Sequence, residues 1–262
     1  MRFISAFRDA ALRFSRDGCA FLAQSIAFNA LFALFPLTVL VVSGATLFLP
    51  SAQERTLAFF DTFAPTLHDY VAGNLQTYMY GRGITSLIAL AVLVWSGKNL
   101  FMGLAYALDR ALNVPKMRPF AHNLLLSFVM LPLIGVLLLV AIVLPVLLSI
   151  TVRATGFAEG AELFHFLVYL LSIALVFGVT VLLYRLLPNR SVSWGFCVRG
   201  ACVVSAAWPI VQYAFAAYVG TVDFTRLYGA LSAPLVLLFW FYCIGSIFLY
   251  GAEYAAVLST HQ

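Results

Sequence analysis

Long apolar runs, recurring along the whole chain with only short polar connectors between them, leave few folds open to this sequence. A helix needs about 20 apolar residues to cross the roughly 30 Å hydrocarbon core of a bilayer. Six stretches reach that length: 26–49, 84–108, 124–150, 163–187, 197–219 and 228–258, the fifth diluted by Arg199, Pro209 and Gln212. The expected fold is all-α, a polytopic membrane bundle of six transmembrane helices with interfacial amphipathic helices beside it. Composition excludes a soluble domain, since 63% of residues are hydrophobic and 10% charged, against about 25% charged in ordinary domains.

An even number of spans puts both termini on one side, and the connector charges say which. Arg2, Arg8, Arg13 and Arg16 precede the first span; Arg110, Lys116 and Arg118 join the second to the third; Arg185, Arg190 and Arg199 flank the join of the fourth to the fifth. The other connectors share Arg55, Arg82, Arg153 and Arg226 and carry Glu54, Asp61, Asp69, Glu159, Glu162 and Asp223. By the positive-inside rule both termini are expected on the cytoplasmic side. The net charge of +5 is then an orientation signal and not a nucleic-acid footprint, which needs cations clustered on one face. The first apolar run starts only after about 25 residues and exceeds a signal peptide's apolar region, so it is expected to remain as a span.

Around the spans, residues 1–23 form an amphipathic N-terminal segment. Phe3, Phe7, Ala10, Ala11 and Phe14 recur at helical spacing beside four arginines, as in a helix lying on the inner leaflet. Residues 24–258 make the membrane domain and 259–262 a cytoplasmic tail. The longest connector, 50–83, carries Leu57, Phe60, Phe63, Leu67, Val71 and Leu75 at three- and four-residue steps. Broken by Pro65, it is expected to form outer-surface helices, either a flap over the bundle or a gating lid. Prolines 36, 132, 145, 209 and 234 interrupt four spans, and each removes a backbone donor that neighbours must replace.

Polar groups at membrane depth are the candidate functional residues, because a charge there costs on the order of 3 kcal/mol even on lenient scales. Lys98, within the polar stretch Ser96-Gly97-Lys98-Asn99, falls about 21 Å along its span from the outer boundary at Ile84. Asn29, with Gln24 just beyond it, lies shallow on the inner side; Arg185 and Glu253 fall near the inner ends of their spans. Asn29, Lys98, Asn99, Arg185 and Glu253 are therefore expected in the cytoplasmic half, lining a polar cavity open to the cytoplasm that suits an anionic head group or other acidic solute. The competing reading is structural: Lys98 pairs with Glu253 as a staple, Arg110 competes for that carboxylate, and Arg185 anchors at the interface.

Catalysis finds no constellation. His68, His122, His165 and His261 are scattered, with no H-x-x-x-H, no G-x-S-x-G and no P-loop. Cys19, Cys197, Cys202 and Cys243 lack metal spacing, fall outside the outer loops and are expected to be inert thiols without a disulfide. The sequence thus calls for no cofactor, no metal and no enzymatic activity. Trp194, Tyr169 and Tyr228 sit near span boundaries as belt aromatics do. Ala201 and Ser205 give a small-xxx-small step for close helix approach.

Several stretches together resemble the YihY/BrkB family of bacterial inner-membrane proteins, to which the name ribonuclease BN was once wrongly attached. They are the run from Ala27 to Leu37 (AFNALFALFPL), the run from Gly103 to Val114 with Arg118-Pro119-Phe120, Tyr184 to Arg190 with Trp194, Tyr228 to Leu231, Trp240, and Gly251-Ala252-Glu253. The resemblance covers nearly the whole chain. It implies six spans with both termini inside and an association with envelope integrity and export of lipid or envelope components. Family members usually read Ala-Tyr-Tyr where this chain has Ala27-Phe28-Asn29, so Asn29 stands in place of a tyrosine.

Two functions follow, and a third, an RNA-processing enzyme suggested by the old name alone, ranks last. In the first, the protein moves or flips an anionic lipid or envelope solute. In the second, it is a non-transporting scaffold that docks envelope-assembly proteins through its outer helices and basic loops. The scaffold reading predicts that deleting residues 54–80 abolishes co-purification of a partner. A clean pull-down containing only this protein counts against it.

Overall fold

The computed structural model describes residues 2–48, 82–112, 114, 161–190 and 192–260. The described helices are α1 (Arg2–Arg16), α2 (Cys19–Phe48), α3 (Arg82–Ala111), α4 (Ala161–Leu186), α5 (Trp194–Thr221), the short α6 (Phe224–Tyr228) and α7 (Ser232–Thr260). Among the described residues, four segments are long and apolar enough to cross a membrane: Ala91–Ala111, Tyr169–Leu186, Trp194–Thr221 and Ser232–Ser259. Counting the bent pair α1–α2 as one raises this to five. The expected third span, 124–150, lies outside the described residues, as does the outer connector apart from Arg82 and Gly83, which open α3.

Local chemistry explains the boundaries. The amphipathic N-terminal helix is α1, and Gly18, at φ +70, breaks it from α2 with a bend of 69°. A left-handed φ suits glycine, which has no Cβ to clash. This break makes α2 start at Cys19, seven residues before the expected span. Ser193 caps α5, its side chain accepting from the Phe196 amide at 3.3 Å, so the weakest of the six expected spans begins with a defined N-cap.

Two expectations need correction at α7. Gly229, at φ +54, and the 3₁₀ turn Gly229–Leu231 separate Tyr228 from the span, which begins at Ser232. Pro234 therefore falls in the first turn of α7, where its missing N–H has no intrahelical partner to lose. It starts the helix instead of interrupting it. Helices α2 and α5 remain continuous through Pro36 and Pro209.

Helix α7 is the hub, packing against α1, α2, α3 and α5, while α2 lies along α3 and α4 along α5. Cys19 meets Glu253 and Ala23 meets Gly245, so α2 runs antiparallel to α7. The core gathers at the end of the bundle that carries α1: Ala23 and Ile26, Phe101 and Leu108, Tyr184, Phe196 and Cys197, Leu249 and Ala252 are buried together. Ala6 and Ala10 bury the apolar face of α1 against Tyr254 and Val257. Outward-facing residues are apolar too; Ile210 is 70% and Tyr213 79% exposed, which in water would be an aggregation surface and in lipid is ordinary contact.

Helix α5 approaches α7 closely at two glycines. A Cβ on Gly251 would lie 2.6 Å from Val204 Cγ2 and 2.9 Å from the Gly200 carbonyl, and one on Gly200 would lie 2.5 Å from Tyr184 Cε2. Ala201 and Ser205, the step read from sequence, are buried on the same face of α5 as Gly200 and Val204. Tyr184 of α4 is wedged into this crossing. It donates its hydroxyl to the Phe248 carbonyl and packs 4.8 Å from the Phe248 ring. Between lipid-embedded helices such backbone proximity replaces the hydrophobic effect as the source of association.

Gly251→Ala and Gly200→Ala should each destabilise the folded protein by about 1–3 kcal/mol or more through overpacking. Gly103→Ala, whose added Cβ meets nothing within 4 Å, should leave the detergent-solubilised melting temperature unchanged. Equal melting temperatures for all three variants would contradict this packing.

Candidate functional site

The five residues expected to line one cavity divide into two levels. Glu253, near the end of α7, is fully buried, and its Oε1 accepts from Cys19 Sγ at 3.4 Å. Its Oε2 is buried with no hydrogen-bond partner among the described residues. The carboxylate is thus held by a thiol, a weak donor, and not by Lys98 or Arg110, the partners weighed from sequence. Cys19 is a free, fully buried thiol, and the contact gives it a structural partner.

Arg110 closes the end of α3 on the α1–α2 turn, donating Nε to the Asp17 carbonyl at 2.9 Å. Asp17 in turn pairs with Arg16 at 3.3 Å, and its other carboxylate oxygen is buried without a hydrogen bond among the described residues. Charges of Arg13, Arg16 and Asp17 all act on Glu253. The α1–α2 bend therefore brings three charged side chains over the buried carboxylate.

Arg185 ends α4. It donates Nη1 to the Val192 carbonyl, and its guanidinium sits over the Trp194 ring at 5.2 Å from the centroid. Both contacts belong to the corner between α4 and α5, and they combine a charge-assisted hydrogen bond with a cation–π contact. Trp194, expected as a boundary aromatic, is the first residue of α5 and is exposed apart from this stacking.

Asn29, Lys98 and Asn99 are half-buried and stand deeper. Asn29 Nδ2 donates to the Ser25 carbonyl at 2.8 Å, and buried Ser96 donates back to Val92 O at 2.8 Å. At about 1.5 Å per residue, Asn29 is roughly 15 Å along α2 from Cys19, and Lys98 roughly 18 Å along α3 from Arg110. Because the Cys19 and Arg110 ends lie together, Asn29, Lys98 and Asn99 share a level on antiparallel α2 and α3. Glu253 and Arg185 belong to the α1 end. The single depth range expected for all five resolves into an end layer and a deeper polar girdle.

Asp109 was not among the candidates, yet its Oδ1 accepts the Asn189 amide at 2.6 Å and ties α3 to the α4–α5 corner. Both residues sit in stretches that carry the family resemblance, which was the available signal. Their separation by 80 residues hid the pairing. Among the described residues no three His, Cys, Asp or Glu side chains stand close enough to hold a metal ion.

Long apolar helices around a hub, with polar contacts drawn to one end, define a multi-pass membrane protein. The chain belongs to the family described as Virulence factor BrkB, whose sequence profile matches residues 10–262. It is 27% identical over 250 residues to a Bacillus subtilis protein named ribonuclease-like protein YfkH, covering 90% of this chain and 88% of that one. It is 26% identical to a UPF0761 membrane protein of Rhodospirillum centenum and 29% identical to one of Xanthomonas campestris, over 97% and 95% of this chain. The chain spans only 57% and 60% of the length of those two relatives. No solved structure matches it. The family is one of membrane proteins and not a known enzyme family.

Maleimide should label exposed Cys202 in the folded, detergent-solubilised protein and spare buried Cys19 and Cys197 until denaturation. Glu253→Ala removes the acceptor of Cys19 and should make that thiol reactive, with a loss of about 1–3 kcal/mol. Glu253→Gln keeps an oxygen acceptor and should keep Cys19 protected. Peptide mass spectrometry reads each site, and a Cys19 labelled equally in all three proteins would overturn the pairing.

Proposed function

We propose that this chain is a six-span bacterial inner-membrane protein, with both termini in the cytoplasm, that moves an anionic lipid or other acidic envelope solute across the membrane. The observation that carries this reading is the polar stretch in α3. Ser96 and Gly97 are buried and Lys98 and Asn99 half-buried, on a helix whose 91–111 segment is otherwise apolar enough to span. An ionisable group held there costs on the order of 3 kcal/mol, and such groups in spans commonly mark solute pathways.

Asn29 at the matching level of α2 adds an amide to the same seam, and Lys98 gives it the sign that suits a phosphate or carboxylate. Asp17, Arg110, Arg13 and Arg16 would stand at its cytoplasmic end, beside the buried Glu253. The charge distribution of the connectors supports the orientation, and the apolar run 124–150 is long enough in sequence for a sixth span.

Reconstitution into liposomes with labelled lipids tests the reading. Head-group accessibility should change faster than in empty liposomes for at least one anionic lipid. Lys98→Met should slow it by roughly tenfold or more at normal protein abundance. Rates equal to those of empty liposomes for every anionic lipid tried would overturn transport of lipid. Lost abundance in Lys98→Met with unchanged specific rate would make Lys98 structural.

A further inference from the structure

An apolar groove of about 520 Å³ runs between α1, α5 and α7, away from the α2–α3 seam. Val198, Ala206 and Ile210 of α5 form one wall, Ile247 and Leu258 of α7 the other, and Phe7 of α1 covers one end. From Val198 to Ile210 it extends about 18 Å along α5. One leaflet of the bilayer has about 15 Å of hydrocarbon. Spread over that length, the volume gives a mean cross-section of about 29 Å². A narrow apolar furrow as long as one leaflet suits a single extended hydrocarbon chain.

Its charge is equally one-sided. Arg199 is the one charged residue in the lining, and it lies at the α1 end, in the second turn of α5. Its Nε donates to the Gly195 carbonyl at 2.8 Å, which folds the guanidinium back over the first turn of α5. Among the described residues no carboxylate pairs with it. The Tyr250 hydroxyl is already committed to the Phe7 carbonyl at 3.0 Å; Tyr254 and Cys202 add a hydroxyl and a thiol to the lining, and Arg199 is its one charge, a cation at the end where a span meets the head groups.

We propose that this groove binds one anionic phospholipid, with an acyl chain along the α5–α7 wall and the phosphate on the Arg199 guanidinium. A guanidinium suits a phosphate because its planar fork can donate two parallel hydrogen bonds. The site requires that the chain lie in a bilayer. It does not require that the bound lipid be moved, so it stands apart from the transport reading and is tested by binding alone.

Native mass spectrometry of the full-length protein in detergent is the test, using phosphatidylglycerol and phosphatidylcholine with identical acyl chains. The wild-type protein should retain one phosphatidylglycerol at about tenfold lower lipid concentration than phosphatidylcholine. Arg199→Gln should remove that preference, and Ala206→Trp, which fills the groove, should lower retention of both lipids. Equal retention of the two lipids by the wild type, an unchanged preference in Arg199→Gln, or a lipid-free dimer with the groove closed by a second copy would each overturn the proposal. Arg199→Gln decides the matter alone if Ala206→Trp fails to fold.

Discussion

Hydrocarbon offers no hydrogen bonds, and this governs where every polar group of the protein can go. Along the spans the backbone satisfies itself as helix. At helix ends the last carbonyls and first amides have no intrahelical partner, and here side chains supply them across the bundle. Arg110 takes the Asp17 carbonyl beyond α1, Arg185 the Val192 carbonyl ahead of α5 and Asp109 the Asn189 amide beyond α4, while Tyr184 adds a bond to the Phe248 carbonyl within α7. Arg110, Asp109 and Tyr184 each join parts of the chain far apart in sequence, and Arg185 fixes the α4–α5 corner, so these polar contacts also fix how the elements lie on one another. The charged residues of the α1 end therefore act largely as structural fasteners.

The same constraint explains the glycines of the α5–α7 crossing. Apolar side chains gain little by exchanging lipid for another helix, so association depends on close fit and on a few polar contacts. Gly200 and Gly251 let the backbones approach, and the space beside them is filled by a tyrosine whose hydroxyl also has an acceptor. Deleting volume or adding a methyl there disturbs three helices at once. The α2–α7 contact at Ala23 and Gly245 is looser, with 3.5 Å separating a would-be Cβ from the neighbouring backbone.

Hydropathy made α3, α4, α5 and α7 legible because a span must be apolar on every side, a property that needs no knowledge of the partner. The amphipathic α1 was readable for a similar reason, since its stripe is local. The breaks at Gly18 and Gly229 were less so: glycine is frequent in membrane helices, and only the backbone shows which ones take positive φ. Pro234 looked like an interruption because the onset of α7 was placed four residues early. The partners of Glu253 and Arg185 were beyond reach. Cys19 lies 234 residues from Glu253, and no spacing rule links a thiol at one end of a chain to a carboxylate at the other.

The separation of the polar girdle from the end layer bears directly on how a solute could use this bundle. Glu253 faces Cys19 on the α2 flank of α7, whereas the groove with Arg199 lies on the flank formed by α1 and α5. Between them stands α7 itself, locked to α5 at Gly251 and covered by α1 through Tyr254 and Val257. A head group bound at Arg199 cannot pass to the Lys98 level through that tightly packed crossing. The Lys98 level and the Arg199 groove are therefore separate features of the bundle, divided by the packing of α7 against α1 and α5.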